Sequence, residues 1–571
     1  MTSPLFLATA QPLLSLNGVD FFIIAVYFAF VLGIGFYLKK FAKTGDDFFM
    51  AGREMTAWVA GLAFVSANLG ALELMGWSGA TYQYGILCAH WYWIGAIPAM
   101  IFLALVMMPF YYISKTHSVP GYLALRFGSG AHALSAISFG LMTLLMSGVD
   151  MYAMALVMKT ILGWNIHFSI WVAAVTVGIY VGLGGLLSAI FNEVLQFALI
   201  WIGALAIPVL GLIECGGWDG MLARIHQNFP SQDFTHLWSN LGSPADNPMG
   251  IQWFAIVFGL GSVLAMGYWT TDFLVVQRVL TAKDLRSAKM APIIGAGFKM
   301  FVPIIVILPG LVALAVLPQA GIELHGEDYV KDHGGHSYNE LLPLMLGRYC
   351  GPGLLGLGIT ALMAGFMSGM AGNVSAFSTI WTYDIYRTFL NRKATDAQNI
   401  SMGRVCTIVG ILISIATAYA VMQFGSIMDY VQALFSFFIA PLFGTVVLGM
   451  LWKRTTSAGG FWGLLCGIGT AIGLWAWVKA DPSALRYVTF SADSKMMAEN
   501  MFRAAWSGCV CVAVTVVVSL LTTPRPEGEL VGLVKSCTAI PDEGEVPLVH
   551  KPVFWAVVVG IVFIALNIYF W

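Results

Sequence analysis

Five ionisable side chains stand inside long apolar stretches of this sequence: Glu73, Asp150, Glu193, Asp272 and Lys299. At membrane depth each costs about 2.5–3.5 kcal/mol or more, so such residues usually serve a function. Lys299, expected mid-helix with Phe301, Val302 and Pro303 after it, must lose its proton or find a carboxylate. A buried Lys299–Glu73 pair is therefore expected, either handling a ligand or only ordering a helix bundle. Asp150 is expected to face a water-filled cavity or to pair with a neighbour. Trp77, Tyr92, Tyr268 and Trp269 lie close to glycine-rich stretches. Rings in such places can stack on the C–H face of a polyhydroxylated solute, although most aromatic residues in a chain of this kind form interface belts or packing. The 8 cysteines have no metal-ligand spacing and no CxxC pair; Cys466, Cys509 and Cys511 sit in apolar runs and read as small hydrophobes. No nucleophile or metal-hydrolase constellation is present. This chemistry is that of binding and release, not of covalent change.

The elements that must position these residues follow from composition. Of 571 residues, 59% are hydrophobic and 10% charged, against about 25% charged in soluble domains. A soluble fold could not cover its own surface with so few. The formal net charge of -1 gives no field to attract a polyanion. A spanning helix needs about 20 mainly apolar residues. Fourteen segments qualify: 19-38, 57-81, 89-112, 133-161, 168-184, 191-214, 251-276, 289-317, 353-383, 402-423, 427-450, 457-478, 502-522 and 552-570. The class is all-α and polytopic. The N-terminus lacks a basic n-region, so no cleaved signal peptide is expected. With the N-terminus outside, the inner loops hold Lys39, Lys40, Lys43 and Arg53, Lys115 and Arg126, Arg278, Lys283, Arg286 and Lys289, and further groups near 390, 453 and 525–551. They outnumber the outer Lys and Arg by more than two to one, which puts both termini outside. No loop is long enough for a catalytic module; the 215–250 loop could carry a short amphipathic helix around Met221–Phe229.

Two segments interrupt themselves with glycine and polar residues: Phe64-Val-Ser-Ala-Asn-Leu-Gly-Ala-Leu-Glu-Leu-Met-Gly-Trp-Ser-Gly79 and Phe258-Gly-Leu-Gly-Ser-Val-Leu-Ala-Met-Gly-Tyr-Trp269. Broken helices in corresponding halves point to a transporter built from inverted repeats, with its site at the breaks. Carbonyls freed by a break are tolerated in a membrane only when buried in protein or lining a cavity.

Several elements occurring in order then resemble a known family. Asp46-Asp-Phe-Phe-Met-Ala-Gly-Arg53, Phe64-Val-Ser-Ala-Asn68, Gly184-Gly-Leu-Leu-Ser-Ala-Ile-Phe-Asn-Glu-Val-Leu-Gln196, Gln277-Arg278 with Ala282-Lys283, Asp384-Ile-Tyr386 and Gly449-Met-Leu-Trp-Lys-Arg-Thr-Thr456 are similar to those of the sodium:solute symporter family, nearest its sugar-transporting branch. The resemblance runs from about residue 20 to 460. It implies a leucine-transporter-type core of two inverted five-helix repeats, 57–214 and 251–450. Before it lies an N-terminal segment, 1–56, and after it further helices, 451–571. It also implies alternating access in the cell membrane, with sodium as the coupling ion and a monosaccharide as solute.

The sodium site implied by the resemblance consists of the carbonyls of Ser66, Leu69 and Gly365 and the hydroxyl of Ser368. Gly369 stands where the family often has a second hydroxyl. Glu193 stands where it usually has Asp, and is expected to supply nearby negative charge, with Asp150 as a further supporting acid. Asn68, Tyr268, Lys299 and Gln432 match sugar-contact positions, with Tyr268 as the gate. Three such positions depart: Glu73 and Ala265 replace amides, and Tyr92 replaces an acid. The rival readings are a symporter of another solute (polyol, carboxylate, amino acid or vitamin), a proton-coupled carrier that uses Glu73, Asp150 or Glu193, and a sensor or channel on the same scaffold.

Overall fold

The computed structural model of the protein describes residues 16–38, 49–422, 426–541 and 546–571, and the backbone alone at 179–188 and 327–328. Lys39, Lys40, Lys43 and residues 46–48 of the Asp46–Arg53 element lie outside the described residues, as do the side chains of 184–188. Each of the fourteen apolar segments has a helical counterpart. Among the described residues nine helices are long and apolar enough to cross a membrane by themselves, and two more spans form as bent helix pairs. Three are shorter apolar helices, Ile97–Ile113, Ile166–Gly178 and Ala255–Thr271. Helices dominate because backbone groups in hydrocarbon must be satisfied within their own segment. Strand pairing among the described residues is limited to the two-residue pair Leu324–His325 with His336–Ser337 and a bridge from Met55 to Ala282.

Nine helices build the site: α1 (Ala57–Asn68), α2 (Ala71–Tyr84), α3 (Ser129–Leu162), α4 (Ile166–Ala204), α5 (Met266–Thr271), α6 (Phe273–Leu280), α7 (Leu285–Lys299), α8 (Leu354–Thr379) and α9 (Ile427–Leu451). The Thr56 side chain caps α1 by accepting from Val59 N. The helix stops at Asn68, the chain crosses Leu69 and Gly70, and α2 restarts with the axis turned by 54°. The break expected from the first glycine-rich stretch is therefore present.

The second stretch behaves otherwise. Residues Ala255–Ala265 keep their hydrogen bonds in a wide π-helical form that runs directly into α5. The interruption comes later, at Asp272, which is extended and whose carboxylate accepts from Leu274 N at 2.9 Å to cap α6. Asp272 is thus a capping residue. The second sharp bend, 42°, follows α7, between it and the helices ending at Val316. Lys299 is the last residue of α7 and not mid-helix, and a helix C-terminus favours a cation.

Two further expectations are corrected and one is met. The segments expected at 168–184 and 191–214 are joined by unbroken helical backbone through α4, continued by Ala206–Cys215. Glycine in this run does not stop the intrahelical bonds. Arg126 and Arg278, counted as loop charges, are buried, as is Arg503 at the other side. Arg126 donates to the carbonyls of Gly449, Trp452 and Thr455. The amphipathic helix of the 215–250 loop is present as Trp218–Asn228, with Met221 and Ile225 buried.

Candidate functional site

α1 ends on Asn68, and its amide is the centre of a polar network. Asn68 Nδ2 donates to Glu73 Oε1 at 3.2 Å and to Tyr268 Oη at 2.8 Å. Its Oδ1 accepts from Lys299 Nζ. Lys299 Nζ also lies 3.5 Å from Glu73 Oε2 and over the rings of Tyr92, at 4.6 Å, and Trp269, at 5.2 Å. Tyr92 Oη donates to Glu73 Oε2. The bend after α7, the break between α1 and α2, and α5 thus bring one ammonium, one carboxylate, one amide and two phenols together. The cation–π contacts help because the ammonium is taken out of water.

These groups line one cavity with Gln432, Asp150, Ala265, Trp77, Asn373 and Phe435. Its volume, ≈ 80 Å³, is several times the roughly 10–15 Å³ that one water requires. The Tyr268 ring leans on Phe435 at 5.0 Å and meets Trp269 edge-on at 5.1 Å. Trp77 packs on Trp91 at 4.9 Å. The walls are therefore aromatic faces with a few converging donors and acceptors, the usual make-up of a small-molecule site. All six residues expected at a solute site, Asn68, Glu73, Tyr92, Tyr268, Lys299 and Gln432, meet here.

The departures at 73 and 92 are related. The position that carries an acid in the resembling family is a tyrosine here. The acid instead comes from α2, and the tyrosine hydroxyl donates to it. The carboxylate that faces Lys299 here is that of Glu73 on α2.

The residues expected around a cation come together next to this cavity. α8 crosses the α1–α2 break so closely that a Cβ on Gly365 would stand 3.0 Å from Ala71 N and from Gly70 C. Ser368 Oγ donates to the Ser66 carbonyl at 3.0 Å. Ser66 Oγ donates to the Glu193 carbonyl at 2.7 Å and lies 3.5 Å from Ser368 Oγ. Leu69 N bonds to the Ser66 and Val65 carbonyls. Ser66, Leu69, Gly365 and Ser368 thus lie around one break; carbonyl and hydroxyl oxygens are the donor type that suits a hard cation such as sodium, and unwound carbonyls and helix C-termini serve this purpose in broken-helix carriers.

Glu193 does not supply free charge to that place. Arg278 Nη2 lies 2.5 Å from Glu193 Oε1 and Arg278 Nε lies 3.3 Å from Oε2, with both side chains fully buried. The same guanidinium donates to the Leu274 carbonyl and to Gln277 Oε1. The pair ties α4 to α6, and Arg278 cancels the acid. Asp150, on α3, is 2% exposed and accepts from Asn373 Nδ2 at 3.1 Å. Arg278, Asn373 and Phe435 were not among the site residues expected from the sequence. Asn373 was the legible one, because it lies one helical turn beyond Gly369 on α8.

Residues 48–467 match the sodium:solute symporter family. The chain is 29% identical over 538 residues to sodium/glucose cotransporter 4 of Homo sapiens, covering 91% of this chain and 78% of the relative. It is 28% identical over 560 residues to sodium/glucose cotransporter 1 of Oryctolagus cuniculus, covering 92% and 83%. It is 26% identical over 591 residues to a sodium/mannose cotransporter of Bos taurus, covering 97% of each. Its fold is similar to that of a solved Na+-coupled sialic acid symporter in a substrate-bound outward-open state, with a TM-score of 0.71 at 20% identity over 89% of this chain and 99% of that one. The fold is thus of the leucine-transporter type. With the match spanning most of its length, the chain belongs to the sodium:solute symporter family.

Proposed function

We propose that the protein is a sodium-coupled secondary transporter that carries a monosaccharide, galactose or glucose first among them, across the cell membrane by alternating access. The observation that carries the reading is the network on Asn68. It joins the polar, aromatic cavity to the same helix break around which Ser66, Leu69, Gly365 and Ser368 gather. The names of the sugar-cotransporting relatives support the solute class. Sodium binds the carbonyls of Ser66, Leu69 and Gly365 and the Ser368 hydroxyl, holds the break in one form, and so favours solute binding beside it. Coupling of this kind is reciprocal. Asn68, Glu73, Tyr92, Lys299 and Gln432 bond the solute hydroxyls, and the Tyr268 ring stacks on the sugar and gates release. The repeats 57–214 and 251–450 rock against each other, flanked by 1–56 and 451–571, with both termini outside.

One sodium crossing about 100 mV supplies about 2.3 kcal/mol. A tenfold sodium gradient adds about 1.4 kcal/mol, and the two together hold a neutral solute at roughly 500-fold accumulation. The test is uptake of labelled galactose, glucose and a panel of other solutes into proteoliposomes with and without an inward sodium gradient. Sodium-driven accumulation of a sugar, lost in Ser368→Ala and in Tyr268→Ala, is expected. Sodium-driven accumulation of another solute alone overturns the sugar assignment, and indifference to sodium for every solute overturns the coupling.

A further inference from the structure

Three carboxylates stand near the α1–α2 break, and two of them are held by cations of the chain: Glu193 by Arg278 and Glu73 by Lys299. Asp150 is the third. Among the described residues no Lys, Arg or His lies within ion-pair distance of it, and Asn373 is its side-chain partner. A Cβ on Gly369 would stand 2.8 Å from Asp150 Oδ2 and 2.9 Å from Oδ1. The carboxylate therefore fills the place where a side chain at 369 would be. A Cβ on Gly70 would stand 3.3 Å from Asp150 Oδ1 and 3.5 Å from the Gly365 carbonyl oxygen. The carboxylate and that carbonyl thus flank one point on the break.

We propose that Asp150 is a ligand of the coupling cation, its carboxylate standing in for the hydroxyl that position 369 lacks. The proposal rests on the sodium-site reading above and adds one anionic oxygen from α3 to a set otherwise made of carbonyls and a hydroxyl from α1 and α8. A buried carboxylate without a cationic partner is costly, and a bound alkali cation offsets that cost while its own charge is neutralised. The small residues have a matching reason: Gly70, Gly365 and Gly369 let α3, α8 and the break approach until the Asp150 carboxylate and the Gly365 carbonyl flank Gly70.

The test is equilibrium binding of ²²Na⁺ to the purified full-length protein, without solute, in the native chain and in four variants. Asp150→Asn and Asp150→Ala are each expected to raise the half-saturating sodium concentration by about tenfold or more. Asp150→Ala/Gly369→Ser, in which a serine hydroxyl takes the vacated space, is expected to return to within about threefold of native; this is the comparison that a merely structural role for Asp150 would not move. Ser368→Ala probes the underlying site independently. If Ser368→Ala weakens sodium binding and neither Asp150 variant does, the site stands and the role of Asp150 falls. If no variant weakens binding, both fall. Should the single Asp150 variants fail to fold, the double variant decides: native-like sodium affinity supports the exchange of ligands, and a folded double variant that binds sodium no better than about tenfold below native overturns it.

Discussion

Asn68 makes three contacts with one amide, and each joins a different part of the chain: Glu73 on α2, Tyr268 on α5 and Lys299 at the end of α7. An amide is suited to this because it donates and accepts at once. Its neighbour Glu73 is the charge on which Lys299 and Tyr92 both depend. Glu73→Gln leaves the ammonium buried without its counter-ion, and solute uptake is expected to fall by about tenfold or more, since breaking a buried pair costs several kcal/mol. Glu73→Gln/Tyr92→Glu restores a carboxylate against Lys299 from the neighbouring position, and initial uptake rates in proteoliposomes are expected to recover well above those of the single variant. Equal loss in both would mean that the position of the acid matters and not only its presence. Much of this was legible in sequence, because charge in an apolar run is conspicuous. The pairing of Lys299 with Glu73 was expected because an ammonium inside an apolar run needs a carboxylate. The role of Arg278 was not, because a guanidinium beside a Gln and a short polar stretch reads as a loop residue until the helix that buries it is known.

The fully buried Glu193–Arg278 pair acts between elements, fixing α4 to α6 beneath the α1–α2 break. Glu193→Gln alone is expected to destabilise the protein by about 3–5 kcal/mol, because the guanidinium stays behind uncompensated, whereas Glu193→Met/Arg278→Met should recover much of that loss. Thermal unfolding of the three purified variants in one detergent checks both, and a double variant less stable than the single one would contradict the argument. α1 and α7 touch more simply. A Cβ on Gly61 would stand 2.8 Å from the Ala291 carbonyl oxygen, so Gly61→Ala forces the helices apart at a cost of about 1–3 kcal/mol, read as a lowered unfolding temperature. The spans themselves were legible from hydropathy alone. The form of the breaks was legible only in part. Gly70 marks a true break, while the glycines at 259, 261 and 267 sit in helix that stays bonded. Glycine lowers the cost of leaving a helix and equally lets helices pack closely; a single sequence gives both the same letter.

Across the whole molecule, the basic residues of alternate loops predict a direction. Single cysteines placed at Lys393 and at Phe570 in a cysteine-free background are expected to react with a membrane-impermeant maleimide from opposite faces, with 570 labelled in sealed right-side-out vesicles and 393 labelled only after permeabilisation. The same pattern at both sites would overturn the orientation. The even number of apolar segments, which the continuous backbone of α4 obscures, enters this prediction directly. The distribution of buried charge has a consequence for the transport cycle. Lys299 cancels Glu73 and Arg278 cancels Glu193. If sodium is held by an ionised Asp150, as proposed above, the loaded core is neutral at the break, and the emptied core holds one negative charge for as long as that carboxylate stays ionised. The membrane field then acts on the empty return and not on the loaded crossing. Net uptake steepens with an inside-negative voltage, because that voltage pushes the bare carboxylate outward, while exchange of labelled for unlabelled solute, which never uses the empty form, is indifferent to it.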